Sequence, residues 1–600
     1  MNRPLTLLLT ACVAVLAACS KDPSFDPEKL AVGPGGLVGN GNPVTSGEFP
    51  GGNDTLPAAR QVPPPDDSRP PDCDGACVAY CAAANLRNPV NKGLCRSLWG
   101  VGLTHRPIQQ AEACRRLFVD MAGRVPTAEE AEATCTGSWG DTVKRLMDSP
   151  DFIEVNKRRA ADRFLYSNEV VSIQAIYDMD RLVEKLFTGR VPYDQFAAVV
   201  SAHPVLTRRH ADAGDKVEAL FRLFLGRPPF EHERADMSRL YRLWHSGYYD
   251  HQEMGMRMPD AYVRYRCLTE DGKSVDPIRK GECTSVLWGY NEVVLTPDLR
   301  SATDRQLNQL TMWNGLLSPD EWAMMQTPGR VLSQEIAFWE RAVDDVLEQY
   351  LGYELSKGVP EVRYELVRWL LENQGDIRSV HYAVLTSAAY LQSTQGASTA
   401  TYRWAYGPLK QMDAEVWIDS MLRNTGLSMP GCDHRISQPE NLLRAASVAS
   451  YRVLQTSRWK LDAQGNIDES YADLARTLGG CPENIVGGRF RVVSILTTGT
   501  QLAFVGDLCN PSLDPDAKVS APIERLLPGG MDPARAVTPD MAGEIASHQY
   551  RVLLGRSPTG EELTEARDAG AQCAAELCKA EEFARPLCFA LLTSAERLFY

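Results

Sequence analysis

The tetrapeptide Gly-Arg-x-Pro occurs four times in this chain, at residues 123–126, 189–192, 226–229 and 555–558. The first and last copies extend to Gly-Arg-x-Pro-Thr-x-Glu-Glu. Ahead of the first copy, Ala113, Leu117, Phe118 and Met121 follow helical spacing. Gly123 suits the left-handed position that ends a helix. Pro126 fixes its own φ and stops that helix from continuing. Thr127 then caps a second helix, and Glu130, three residues on, completes a capping box that Thr559 and Glu562 repeat. The phrase therefore predicts a helix-turn-helix joint. Copies two and three lack the threonine, which leaves their caps unassigned. The arginine braces the joint by pairing with an acid of the next helix or with a helix-end carbonyl. An anion site at Arg124, Arg227 or Arg556 is the less favoured reading, because bracing is the commoner use of such a turn.

A second phrase also recurs. "HYAVLTSAAYLQ" (residues 381–392) is echoed by "CFALLTSAERLFY" (588–600) and more loosely by "KRLMDSPDFIE" (144–154). In each, an apolar helix closes at a serine and a short aromatic segment follows. These repeats predict a mainly α fold: a compact multi-helical body of repeated helix-turn-helix units with little β, stapled by disulfides.

The first residues give an address. Arg3 precedes an apolar stretch, residues 5–18, too short for the about 20 residues that span a bilayer. It is expected to be a secretory signal. Leu16-Ala17-Ala18-Cys19 is similar to the bacterial lipobox, which implies cleavage before Cys19 and acylation of its thiol. Such an anchor holds permanently at about 0.8 kcal/mol per buried CH₂. Ser20 stands after Cys19 rather than Asp, which by resemblance to enterobacterial sorting points to the outer membrane. Residues 19–72 are rich in Gly and Pro and form a lipid-anchored tether, whose roughly 50 residues reach about 40 Å. The expected divisions after it are a Cys-rich segment over 73–104 and helical regions over 105–210, 211–300, 301–430 and 431–600.

The chain carries 63 basic and 77 acidic residues, a net charge of −14, and no basic tract. Nucleic acid is therefore excluded as a partner. Of the 16 cysteines, Cys12 lies in the leader and Cys19 on the lipid, which leaves an even number for disulfides in an exported protein. Cys73, Cys77 and Cys81 are spaced four apart, not as CxxC, and no CxxCH occurs, so covalent c-type haem is excluded on pattern. No zinc spacing stands out, and no metal or cofactor is expected. Two pairings are predicted. Cys267 with Cys283 would close a polar loop of about 15 residues, worth roughly 3 kcal/mol. Cys114 and Cys135 lie about 13 Å and 12 Å from the first joint on antiparallel helices, so they come level and can be bridged.

Several stretches resemble a known family. "RRLFVDMAGRVPTAEEAE", "VKRLMDSPDF" and "RLVEKLFTGRVPYDQFAAVV" are similar to the first of two linked domains of unknown function in secreted planctomycete proteins, often fused to a c-type cytochrome domain. "RYELVRWLLENQGDIRSVHYAVLTSAAYLQ" and "LKQMDAEVWIDSMLRNTG" resemble the second domain. "TQLAFVGDLCNP" and "YRVLLGRSPTGEELTEA" resemble its close. The likeness spans most of residues 105–600. This chain departs from it in lacking CxxCH, so electron transfer does not carry over, and the family offers no catalytic residues to transfer. The stretch 490–509 is rich in β-branched residues and suggests a hairpin about Thr498-Gly499, whereas the resemblance implies a helix over 501–508.

Enzyme motifs are sparse. No GxSxG, GxxxxGK[ST] or GxGxxG occurs. "HERAD" at His232 is one residue short of the HExxH zinc motif, since Asp236 replaces the second histidine, and a surface helix is the favoured reading. Residues 462–468, with Asp473, resemble a calcium loop but carry Ile467 where glycine is required, which favours a turn. His232, His245, Tyr248, Tyr249 and His251 form an aromatic and histidine cluster that could line a binding groove, and Tyr402, Trp404 and Tyr406 raise the same choice between groove and core. The expected function is a non-enzymatic binding or scaffold component, lipid-anchored in the outer membrane, with an envelope protein or polymer as partner. An envelope hydrolase using His, Asp and Tyr is the alternative, and a redox-associated partner ranks third.

Overall fold

The computed structural model describes residues 75–77, 85, 87–166, 173–207, 209–210, 212–245, 263–267, 291–295, 326–394, 402–427, 470–481, 489, 494–510 and 520–600. Cys19, the leader and the tether lie outside them. The first joint shows how local sequence sets the chain path. The helix Gln110–Ala122 ends at Gly123, whose φ is 66°. Thr127 caps Ala128–Thr134 with both halves of the capping box in place. Cys114 and Cys135 are joined by a disulfide, with Cα atoms 5.9 Å apart. Ser138 then caps Trp139–Met147 and Ser149 caps Pro150–Phe164.

All four Gly-Arg-x-Pro glycines are left-handed: Gly123, Gly189, Gly226 and Gly555 have φ between 66° and 73°. Gly226 separates Ala213–Leu225 from Glu231–His245. Gly555 follows Pro539–Gln549 and its π-helical last turn, Tyr550–Leu554, and precedes Gly560–Ala575, where Thr559 repeats the capping box. Gly189 lies between Ile173–Phe187 and Tyr193–Ala202, but there Pro192 itself is the cap, three residues after the glycine rather than four as at Thr127 and Thr559.

The described residues are mainly helical. The described β structure is one antiparallel pair, Val263–Cys267 with Asn291–Leu295, in which Cys267 stands opposite Asn291. Cys283 lies outside the described residues, and with it the pairing to Cys267. Of the two readings of 490–509, the described residues follow the helix. Ile495–Cys509 is one helix, because Ser494 and Thr497 cap each other reciprocally and commit the Thr-Gly pair to it. Cys509 is bonded to Cys588 on the helix Ala580–Leu592, and Cys573 to Cys578. Cys77, Cys95 and Cys481 are also disulfide-bonded. No described helix is long and apolar enough to cross a membrane.

One apolar core runs through the helical regions, from Val90 and Leu94 through Leu117, Phe224, Phe338 and Val380 to Leu592. Long-range bridges tie its ends together: Pro107 to Gln392 and Gln411 to Phe599. Two glycines make opposite predictions. A side chain at Gly123 would start 2.6 Å from Arg158 Nη2 and 2.8 Å from Val155 Cγ2, on a backbone that disfavours it. Gly123→Val should cost about 2–4 kcal/mol in a denaturant melt. Gly499 is helical, and nothing lies within 4 Å of where a methyl group would sit, so Gly499→Ala should gain about 0.5–1 kcal/mol in the same melt.

Candidate functional site

Asp120 lies on the helix Gln110–Ala122 between the core residues Leu117 and Met121 and is wholly buried. A carboxylate there must be fully partnered. Its Oδ1 accepts from Lys410 Nζ at 2.5 Å and from the Tyr600 hydroxyl at 3.1 Å. Its Oδ2 accepts from the Tyr390 hydroxyl at 2.9 Å. Arg159 approaches Oδ1 to 4.0 Å.

The backbone explains how these side chains converge. Lys410 and Tyr600 exchange two backbone hydrogen bonds, each 2.9 Å, which sets the pair side by side. Lys410 Nζ sits 4.5 Å from the Tyr600 ring centroid and also donates to the Gln349 carbonyl. Its stem passes Gly352, where a Cβ would lie 2.9 Å from Lys410 Cγ. Tyr390 is positioned by Ser387, whose hydroxyl accepts from the Tyr390 amide, and by Arg116, which donates to the Tyr390 and Gln392 carbonyls. Behind it, Tyr350 and His381 share a 2.6 Å hydrogen bond inside the core.

Burial pushes Lys410 down to about 8, with Asp120 opposing the shift and Arg159 and Arg116 adding to it. Burial, helped by Arg159, pushes His381 down to about 3, so its ring is neutral at physiological pH. Burial raises Tyr350 and Tyr390, which keeps both phenols protonated. The result is an internal chain of proton donors and acceptors around one carboxylate. Arg159 and Tyr600 are its more solvent-exposed members.

The joint arginines form a different arrangement. Arg124 donates to Glu130 at 2.7 Å and to Asp151 at 2.9 Å. Arg227 grips both oxygens of Glu233 and reaches Glu335 at 3.1 Å. Arg556 grips both oxygens of Glu562 and both of Glu596. Each arginine thus meets the acid six residues on and a second carboxylate from farther along the chain. Sequence reasoning missed that second acid, although it has a signal. It stands two residues after a serine: Ser149 and Asp151, Ser333 and Glu335, Ser594 and Glu596. The acids saturate these guanidinium groups, which removes the charge an anion site would need. Arg190, in the turn that Pro192 caps, has Phe196 six residues on and is exposed.

Among the other sequence candidates, His232 and His245 do not converge. His232 is exposed and stacks on Phe230. His245 ends the same helix, 13 residues on and so about 20 Å along the axis, too far to share a site. Tyr248, Tyr249 and His251 lie outside the described residues, as does the stretch 462–468. Glu233 of "HERAD" is engaged by Arg227 and accepts from the Phe230 amide, so it serves the joint. Trp404 and Tyr406 belong to the core, whereas Tyr402 is exposed. Among the described residues no group of three His, Cys, Asp or Glu could hold a metal ion.

No family model matches this chain, and no curated protein or solved structure is similar to it.

Two outcomes test the Asp120 cluster. Lys410→Met leaves Asp120 without its cation and should cost about 3–5 kcal/mol, part of which Asp120→Asn in the same chain should restore. His381 binds its proton more weakly folded, at about 3, than unfolded, at 6.5. Between these values the unfolded chain takes up a proton that the folded chain refuses. Stability therefore falls as pH drops through that window, by about 1.4 kcal/mol per unit at most. His381→Phe should flatten this slope in pH-dependent denaturant melts.

Proposed function

We propose that this chain is an exported, lipid-anchored protein of the bacterial outer membrane whose helical body binds another envelope protein or polymer without catalysing a reaction. The observation that carries this reading is its cysteine use. Cys114–Cys135, Cys509–Cys588 and Cys573–Cys578 are disulfides, which persist in oxidising compartments outside the cytosol. The lipobox-like Leu16-Ala17-Ala18-Cys19 and the Gly/Pro-rich stretch after it supply the anchor and the tether. We read the body as repeated helix-turn-helix units, and at three of the four joints an arginine is held between two acids. That arrangement supports a rigid frame that presents a surface. A redox-associated role rests on the resemblance to the paired planctomycete domains alone.

A second reading, an envelope hydrolase, is favoured by Lys410. A lysine pushed down to about 8 beside a carboxylate and two phenols is the kind of perturbed group that active sites use. The site of that reading is the Asp120 cluster rather than the histidines of residues 232–251.

Cys19→Ala should move the protein from the membrane fraction to the soluble fraction, and the mature wild-type N-terminus should be an acylated Cys19 by mass spectrometry. An intact leader, or an unmodified Cys19 at the N-terminus, overturns the anchor. In-envelope cross-linking that captures the same partner with wild-type and Lys410→Met proteins supports the binding reading. Turnover of envelope polymers that is lost in Lys410→Met supports the hydrolase.

A further inference from the structure

Arg597 lies one turn into the last short helix, Ala595–Leu598, with 1 % of its surface exposed. Its Nη2 reaches the Ser420 carbonyl only at 3.5 Å, the outer limit of a hydrogen bond. Its Nε and Nη1 have no acceptor, and neither does Nε of the neighbouring buried Arg115. The carboxylates nearby are already engaged. Glu596 accepts from Arg115 at 3.0 Å and takes two bonds from Arg556. Glu562 is gripped by Arg556, and Glu112 reaches out to Arg116. Around this point the four guanidinium groups of Arg115, Arg116, Arg556 and Arg597 share three carboxylates, Glu112, Glu562 and Glu596, and of these only Glu596 supports the charge on Arg597.

An arginine does not shed its proton to escape burial. A buried cation without a partner costs several kcal/mol, and a cluster of orphaned N–H groups calls for an acceptor, such as an ion or a water, to be bound there. Burial and the repulsion of Arg115 both oppose the charge on Arg597, while Glu596 supports it. An added negative charge would relieve both of the opposing effects.

We propose that Arg597, with Arg115 beside it, forms an internal site for a small monovalent inorganic anion of the halide class. The anion accepts from Arg597 Nε or Nη1 and balances the surplus guanidinium where the last helix meets the helix Ala414–Asn424. The site is structural. It stabilises the seat of the C-terminal segment and is independent of the anchor and of any partner.

The test uses the full-length chain at constant ionic strength, with sodium bromide replacing sodium gluconate. The wild-type Tm should rise saturably with bromide. In Arg597→Met, which removes the buried charge and keeps the volume, the rise should be at least about fivefold smaller. Arg190→Met, at an exposed arginine far from the site in sequence, should retain the full rise. Equal bromide dependence in wild type and Arg597→Met, or none in wild type, overturns the site. Crystals of the wild-type protein grown in bromide decide the matter even if the variant does not fold. An anomalous peak within hydrogen-bonding reach of Arg597 supports the proposal, and an ordered water alone there overturns it.

Discussion

The carboxylate of Asp120 gathers the molecule. It sits in the first helical hairpin, yet its partners come from residues 390, 410 and 600. None of those contacts is local. Each requires a different stretch of chain to have folded back onto the helix Gln110–Ala122. A buried carboxylate tolerates no missing partner, so this cluster selects the one arrangement in which all of those stretches arrive together. The backbone exchange between Lys410 and Tyr600 is part of the same selection, because it brings the ammonium group and the phenol to Asp120 as a unit.

The arginine braces work at the next scale down. Within a joint, the bond from the arginine to the acid six residues on fixes the angle between two helices. The second acid, two residues past a helix-closing serine, ties that joint to a third element. The serines share one geometry: Ser149, Ser387 and Ser594 each turn the hydroxyl back onto the carbonyl three residues earlier. The copy at Ser387 has Ala389 where the acid would stand, and the turn at Gly189 is the one whose arginine is exposed. Brace and acid are absent together, and there Arg378 crosses Gly189 and pairs with Asp376 instead.

These two devices bear on function in different ways. The braces spend the most recognisable charged motif of the chain on architecture, which supports a presenting frame. The Asp120 cluster perturbs a lysine and a histidine strongly, as active sites do and as satisfied cores also do. What separates these is access to the lysine, and 7 % of the Lys410 side chain is exposed. Such burial suits a structural lock.

Local chemistry was legible in the sequence. The left-handed glycines, the capping boxes at Thr127 and Thr559, and the spacing of Cys114 and Cys135 follow from interactions within a few turns of chain, whose geometry the residues themselves dictate. The helix Ile495–Cys509 was half legible: its β-branched residues argued for strands, and the reciprocal cap at Ser494 and Thr497 outweighed them. Of the histidine cluster, His232 and His245 stand about 20 Å apart along one helix axis, because proximity in sequence is not proximity along a helix. The partners of Asp120, the second acid of each brace and the orphaned guanidinium of Arg597 lay beyond sequence reasoning. Each depends on which distant surfaces pack together, and a single sequence states that a residue is charged without stating what it will be buried against.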